Sequence, residues 1–194
     1  MTLAPWRSAI AYALHRNRSL IYSRYVQLAT VQENGRPANR VVVFRGFWEN
    51  TNQIKFITDS RSEKIKHIQY QPWAEVCWYF PKTREQFRIG GSLTLINSDT
   101  QDPILQEGRH LMWQQISEAA RSQFAWPHPG KARVEDKKAF EVSTLEGTKP
   151  LANFCLLLLN PEEVDHLELK GEPQNRKRYF RNQHQDWSIE ELNP

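Results

Sequence analysis

The 194-residue chain contains only two cysteines, Cys77 and Cys155, each set among aromatic or aliphatic neighbours and without CxxC spacing. That excludes a disulfide-stapled scaffold and a paired-thiol redox site, leaving two buried structural thiols as the expectation. No apolar run approaches the roughly 18 residues that span a bilayer, and the opening "MTLAPWRSAIAYALHRNR" lacks the apolar core and small-residue cleavage site of a secretory leader. A cytoplasmic protein with no membrane partner is expected. The six histidines are scattered, with no HxH or HExxH spacing, so no metal site is expected. Nor is there a GxSxG elbow, a P-loop or a dinucleotide-type glycine motif. Internal repeats and linker-like stretches are missing too, and residues 1–194 read as a single domain.

What is present is aromatic and basic. Only 39% of the residues are apolar, but seven Trp, nine Phe and six Tyr can carry much of the burial. The formal charge of +4 suits an anionic ligand. The positive charges are not interleaved with aromatics along one strand face, which argues against a nucleic-acid partner. Most basic clusters, "HRNR" at 15–18 and "NRKRYFR" at 175–181 among them, read as solvated faces.

The periodicity is mostly that of strands. "PWRSAIAYAL" places Trp6, Ile10, Ala13 and Leu14 at helical spacing after an early proline. "YVQLATVQENGRPANRVVVFRGFW" then alternates around Asn34-Gly35, a strong hairpin signal, and "QIKFIT" follows as a third strand. In "DSRSEKIKHIQYQP" the period changes to helical, with Ser60 and Glu63 at capping-box spacing and Pro72 beyond the end. "AEVCWYF" and "EQFRIGGSLTLI" form a further strand pair, the second carrying Gly90-Gly91 as a bulge signal. A helix from Pro103 to Phe124 is expected, with Leu111, Gln115 and Ala119 at four-residue spacing. The loop "AWPHPGKARV" ends it, and two separate strands follow, "NFCLLLL" and "VDHLELK", divided by Pro161. "RKRYFRN" and "WSIEEL" complete the chain. The fold class is mainly β, an antiparallel barrel with peripheral helices.

Two local patterns point to anion chemistry. Arg40 and Arg45 flank an apolar strand five positions apart, and strand alternation sends them to opposite faces. They are therefore expected to serve different places. The helix start at "TDSRSEK" offers free N–H groups, the hydroxyls of Thr58, Ser60 and Ser62, and Lys64, a set suited to a phosphate.

"RVVVFR" at 40–45, "ITDSRSEK" at 57–64, "EQFRIGG" at 85–91 and the end "NRKRYF…WSIEELNP", taken in order, resemble the FMN-binding split barrels of the pyridoxamine 5′-phosphate oxidase family. The stretch "ARSQFAWPHPG" is similar to the cyanobacterial and plant branch of that family. The resemblance implies a split-barrel homodimer with FMN at the subunit interface and a flavin-dependent oxidoreductase whose substrate is a small molecule. It implies that Arg40, Ser62 and Lys64 bind the FMN phosphate. Ile57, Thr58 and the backbone of Val41, Val42 and Val43 would line the flavin and its ribityl chain. Gln86 would approach the ring, and Arg178 would reach it across the dimer. Arg45, Ser122 and Arg176 would belong to the substrate side, so the two strand-end arginines would meet two different anions.

The chain also departs from the family. Glu118 falls near a position where the family has a phosphate-binding arginine, and a carboxylate there opposes a phosphate dianion. A leucine in "HLELK" replaces the family's flavin-packing tryptophan, Ile57 replaces its tyrosine, and "NRKR" is two residues shorter than the family's motif. No catalytic residue is singled out. Two other readings stand beside the oxidoreductase, a non-catalytic flavin carrier or sensor and, further off, a basic nucleic-acid-binding barrel.

Overall fold

The run "FCLLLL" is apolar at consecutive positions, a pattern that demands cover on both faces of a strand. The computed structural model, which describes residues 3–142, 144–182, 184 and 186–194, supplies that cover. Leu157 and Leu159 point into one hydrophobic cluster with Trp6, Ile10, Leu28, Phe56, Trp78 and Phe87. Leu156 and Leu158 point into a second, with Trp48, Met112, Trp113, Phe124 and Phe154. The first cluster fills a barrel. The second lies between the outside of the same strands and the helices after residue 103.

The elements, in order, are α1 (Trp6–Asn17), β1 (Tyr25–Val31), β2 (Pro37–Val43), β3 (Ile54–Asp59), α2 (Lys64–Tyr70), β4 (Trp73–Phe80), β5 (Glu85–Ile96), α3 (Pro103–Gln115), α4 (Glu118–Ser122), β6 (Phe154–Glu168), β7 (Asn175–Arg181) and β8 (Trp187–Leu192). All strand pairs are antiparallel, in the order β2-β1-β4-β5-β6-β7-β8. The β6 strand forks the sheet: its first half pairs with β3 and its second half with β7, while β5 runs along both. The segment after β2 returns to β3 through Arg45 N to Lys55 O, Lys55 N to Gly46 O and Trp48 N to Gln53 O, each 2.8 or 2.9 Å. Those bonds close the ring. Gly35, at φ +78°, makes the expected β1–β2 turn where side-chain-bearing residues are strained. No described helix is long and apolar enough to cross a membrane.

Four expectations need correction. "NFCLLLL" and "VDHLELK" are one 15-residue strand, because Pro161 sits opposite Gly91 where the β5–β6 register shifts and no ladder hydrogen is required of it. A Cβ on Gly91 would collide with the Asn160 carbonyl, so the glycine permits the close approach. The helix expected over Pro103–Phe124 breaks at Ile116, and Ser117 caps a new one through Ala120 N. Its buried face is Gly108, Arg109, Met112 and Trp113, whereas Leu111 and Ala119 face solvent. The Ser60–Glu63 capping box does not form either: α2 begins at Lys64 with no side-chain cap. Of the two thiols, Cys155 is buried as expected and Cys77 is only half-buried.

Candidate functional site

The side chains after β2 and β3 converge on a cavity of about 720 Å³, a volume suited to a small-molecule ligand. Arg40, Val41, Val42, Val43, Arg45, Ile57, Thr58, Ser62 and Lys64 all line it. Arg40 is seated by β1, its Nη1 donating to Leu28 O at 3.0 Å and Thr30 Oγ1 at 2.7 Å. Thr30 is in turn hydrogen-bonded with His67 Nδ1 of α2 at 3.0 Å. Lys64 Nζ donates to Ser62 Oγ at 2.7 Å and Thr58 Oγ1 at 3.1 Å. A turn of backbone thus gathers one ammonium and two hydroxyls beside a fixed guanidinium.

This is a costly grouping without an anion. Burial pulls the Lys64 ammonium below its ordinary value, and the charge of Arg40 pulls it further. Burial likewise lowers Arg40, with Glu63 partly offsetting it. Arg45 is lowered by burial and by Arg24, and its buried Nε finds no hydrogen-bond partner. The carboxylate in the lining, Asp59, is already committed: Arg61 pairs with it at 2.7 Å and Asn153 Nδ2 donates to it at 2.7 Å. Burial alone would push Asp59 up, but the hydrogen bonds from Arg61 and Asn153 hold it below the usual carboxylate range.

Arg40 and Arg45 both line this cavity. Val41, Val42 and Val43 line it as well, so the cavity runs along β2, the strand at the end of the sheet order, and takes in residues of both its faces. Much of the turn that opens α2 is internally committed, which leaves the N–H groups of Glu63 and Lys64 for a ligand. The N–H groups of Ser60, Arg61, Ser62, Ile65 and Lys66 are already taken by Asn153 O, Asp59 Oδ1, Asp59 O, Ser62 O and Glu63 O. The charge of the site comes from its side chains.

Four other expected residues lie elsewhere. Gln86, Arg176 and Arg178 share one outer face of the β5–β6–β7 sheet, in rows running Gln86–Leu167–Arg176 and Arg88–Asp165–Arg178. Arg176 is tied to Asp165 at 2.8 Å and Arg178 to Glu190 at 3.2 Å. Ser122 Oγ donates to Glu118 O at 3.0 Å on α4, and neither Ser122 nor Glu118 lines the cavity. Within one chain, Glu118 is therefore not in contact with the cavity.

Sequence reasoning passed over the far wall. Trp126, His128, Lys131, Arg133 and Phe140 line the same cavity from the loop after α4. Arg61 fastens the start of that loop by donating to Phe124 O and Trp126 O at 3.1 and 3.0 Å. The only available signal was a basic "GKAR" inside a Pro-rich loop, which has no periodicity to place it.

Residues 3–97 match the family model described as pyridoxamine 5′-phosphate oxidase, FMN-binding domain. The pyridoxine/pyridoxamine 5′-phosphate oxidase 2 of Arabidopsis thaliana is 39% identical over 197 residues, covering 99% of this chain and 98% of its own. A Legionella pneumophila pyridoxine/pyridoxamine 5′-phosphate oxidase is 29% identical over 177 residues, covering 86% and 76%. The crystal structure of a pyridoxamine 5′-phosphate oxidase-related, FMN binding protein from Nostoc punctiforme superposes with a TM-score of 0.97 at 65% identity, covering all of both chains. The Burkholderia lata protein PhzG shares the fold alone, with a TM-score of 0.77 at 21% identity over 97% of this chain and 90% of its own. The chain is therefore a split barrel that belongs to the FMN-binding pyridoxamine 5′-phosphate oxidase family.

Proposed function

We propose that the protein binds FMN in the cavity and acts as a flavin-dependent oxidoreductase on a small molecule. The observation that carries this reading is the Arg40–Ser62–Lys64 cluster, two half-buried cations held side by side with the cavity's carboxylate already neutralised. A phosphate dianion fits that set by charge and by donor count, each charge-assisted hydrogen bond contributing about 1.5–3 kcal/mol. When bound, FMN supplies the redox chemistry, and the protein groups position and tune it. In this reading Arg40 and Lys64 hold the phosphate, Thr58 fixes Lys64, and Val41 to Val43 and Ile57 form the apolar wall.

The protein is a homodimer in this reading. Gln86 and Arg178 stand on an outer sheet face away from the cavity, and they can contribute to a flavin there only from a second copy of the chain. Pyridoxamine 5′-phosphate, a substrate in the names of the Arabidopsis and Legionella relatives, is the first compound to test. A carrier or sensor role remains the alternative, because Ser122 and Arg176 do not reach the cavity within one chain.

The deciding experiment is an absorption spectrum of purified protein, with mass analysis of what denaturation releases. Released FMN that is lost in Arg40→Ala and Lys64→Ala is the expected result. Colourless protein that takes up no added FMN would refute the cofactor assignment. Peroxide release on adding pyridoxamine 5′-phosphate to FMN-loaded protein would assign that substrate, and its absence would reject it. Light scattering tests the dimer, a monomer at micromolar concentration being the contrary result.

A further inference from the structure

The cavity carries more positive charge than a cofactor phosphate uses. Its lining includes Arg40, Arg45, Arg61, Lys64, Lys131 and Arg133 against the single carboxylate of Asp59. Arg61 and Asp59 cancel as an ion pair, and the phosphate dianion of the reading above would offset Arg40 and Lys64. Arg45, Lys131 and Arg133 are left over, and no ion pair among the described residues involves any of them. Of the three groups that the family resemblance implies for the substrate side, Arg45 lines the cavity, whereas Ser122 is turned to Glu118 O and Arg176 to Asp165.

The segment that brings Lys131 and Arg133 is built rather than loose. Arg61 and Asn153 hold its start at Phe124 O and Trp126 O. Trp126 meets Phe140 edge to face at 5.9 Å, joining the two ends of the segment, and Arg133 lies over Phe140 at 5.4 Å. Such a frame presents cations to a ligand at a lower ordering cost than a free loop.

We propose that Lys131 and Arg133, carried over the cavity on the 126–140 segment, are specificity-determining residues that grip the acidic group of the substrate together with Arg45. The proposal rests on the FMN reading, since the phosphate of the cofactor occupies the other cations. It moves substrate recognition from α4 to the following loop. A phosphate monoester and a carboxylate share the chemistry required, so the test separates them.

The probes are pyridoxine 5′-phosphate, 4-pyridoxic acid and pyridoxine, related ring compounds bearing a phosphate, a carboxylate or no acidic group. Binding to FMN-loaded protein is read from the flavin absorbance, and FMN affinity is measured on the same preparations. At least one acidic probe is expected to bind tenfold or more tighter than pyridoxine, and which one identifies the group. The Lys131→Ala, Arg133→Ala double variant is expected to lose that advantage while keeping its affinity for FMN and for pyridoxine. Lys131→Arg in an otherwise unchanged chain is expected to retain it. Both residues are exposed, so the barrel is not at stake, and Lys131→Ala alone, which leaves Arg133 over Phe140, is expected to weaken the acidic probe as well. Equal binding of all three probes, binding of none at millimolar concentration, or an unaltered double variant would overturn the proposal alone. Loss of FMN from the double variant would also overturn it, by assigning these cations to the cofactor. Wild-type protein that takes up no FMN would instead remove the cofactor reading, and this proposal with it.

Discussion

Replacing Lys64 by methionine separates the cost of the proposed phosphate site from its benefit. In the cofactor-free protein the ammonium is partly desolvated and stands in the field of Arg40, both of which work against its charge. Methionine keeps an unbranched apolar stem and removes the cation, so the cofactor-free thermal midpoint is expected to hold or rise. FMN affinity responds in the opposite direction. Losing one charge-assisted hydrogen bond of about 1.5–3 kcal/mol weakens binding about 10- to 100-fold, at about 1.4 kcal/mol per decade. The pH dependence has a definite sign. A bound phosphate raises the depressed Lys64 value, so the complex holds more protons than the free protein over the interval between the two values, and affinity falls as pH rises through it. Without cofactor, the folded value lies below the ordinary 10.5. The destabilisation is then complete below the folded value and is relieved as pH rises toward 10.5. Flavin fluorescence titrations from neutral to alkaline pH, beside thermal melts of both cofactor-free proteins, measure all of this. A Lys64→Met variant with a lowered cofactor-free midpoint, unchanged FMN affinity and an unchanged alkaline slope would refute the assignment.

Two further outcomes test the frame around the site. Gly91→Ala sets a methyl against the Asn160 carbonyl at the β5–β6 bulge, a backbone collision expected to cost at least the roughly 1–3 kcal/mol of core overpacking. A thermal midpoint lowered by several degrees is expected, and an unchanged one would show that the bulge is soft. Burial pushes the Cys155 thiol up to about 11, with Arg109 opposing the shift, and burial and Glu75 raise Cys77. Near pH 8 a disulfide reagent should leave Cys155 unmodified in folded protein and modify both thiols in guanidinium, because roughly one Cys155 thiol in a thousand is ionised there. Rapid native-state reaction at Cys155 would contradict its burial.

Much of the architecture was legible locally. Asn34-Gly35 between alternating runs marked the β1–β2 hairpin, and Gly90-Gly91 marked the bulge, since both depend on backbone preferences of a few residues. That residues 40–43, 57–58, 62 and 64 belong together was legible as ordered motifs, because they lie on consecutive elements, and all of them line the cavity. Misreadings arose where a distant partner decides. Pro161 looked like a strand break until Gly91 on the neighbouring strand removed the need for its hydrogen. Residues 111, 115 and 119 suggested one continuous helix, but it breaks at Ile116, and the buried face of α3 carries Gly108, Arg109, Met112 and Trp113.

By itself the sequence determined an antiparallel barrel, its main turns and a phosphate-suited set beginning at Arg40, because alternation, turn chemistry and hydroxyl–cation spacing act over short stretches of chain. Only the tertiary structure decided that Arg40 and Arg45 line one cavity, since that cavity takes in consecutive residues of β2. Only it decided that Lys131 and Arg133 complete the far wall, while Gln86, Arg176 and Arg178 stand on another face. A loop has no period from which to read its direction, and which face of a strand meets a ligand depends on how the sheet closes.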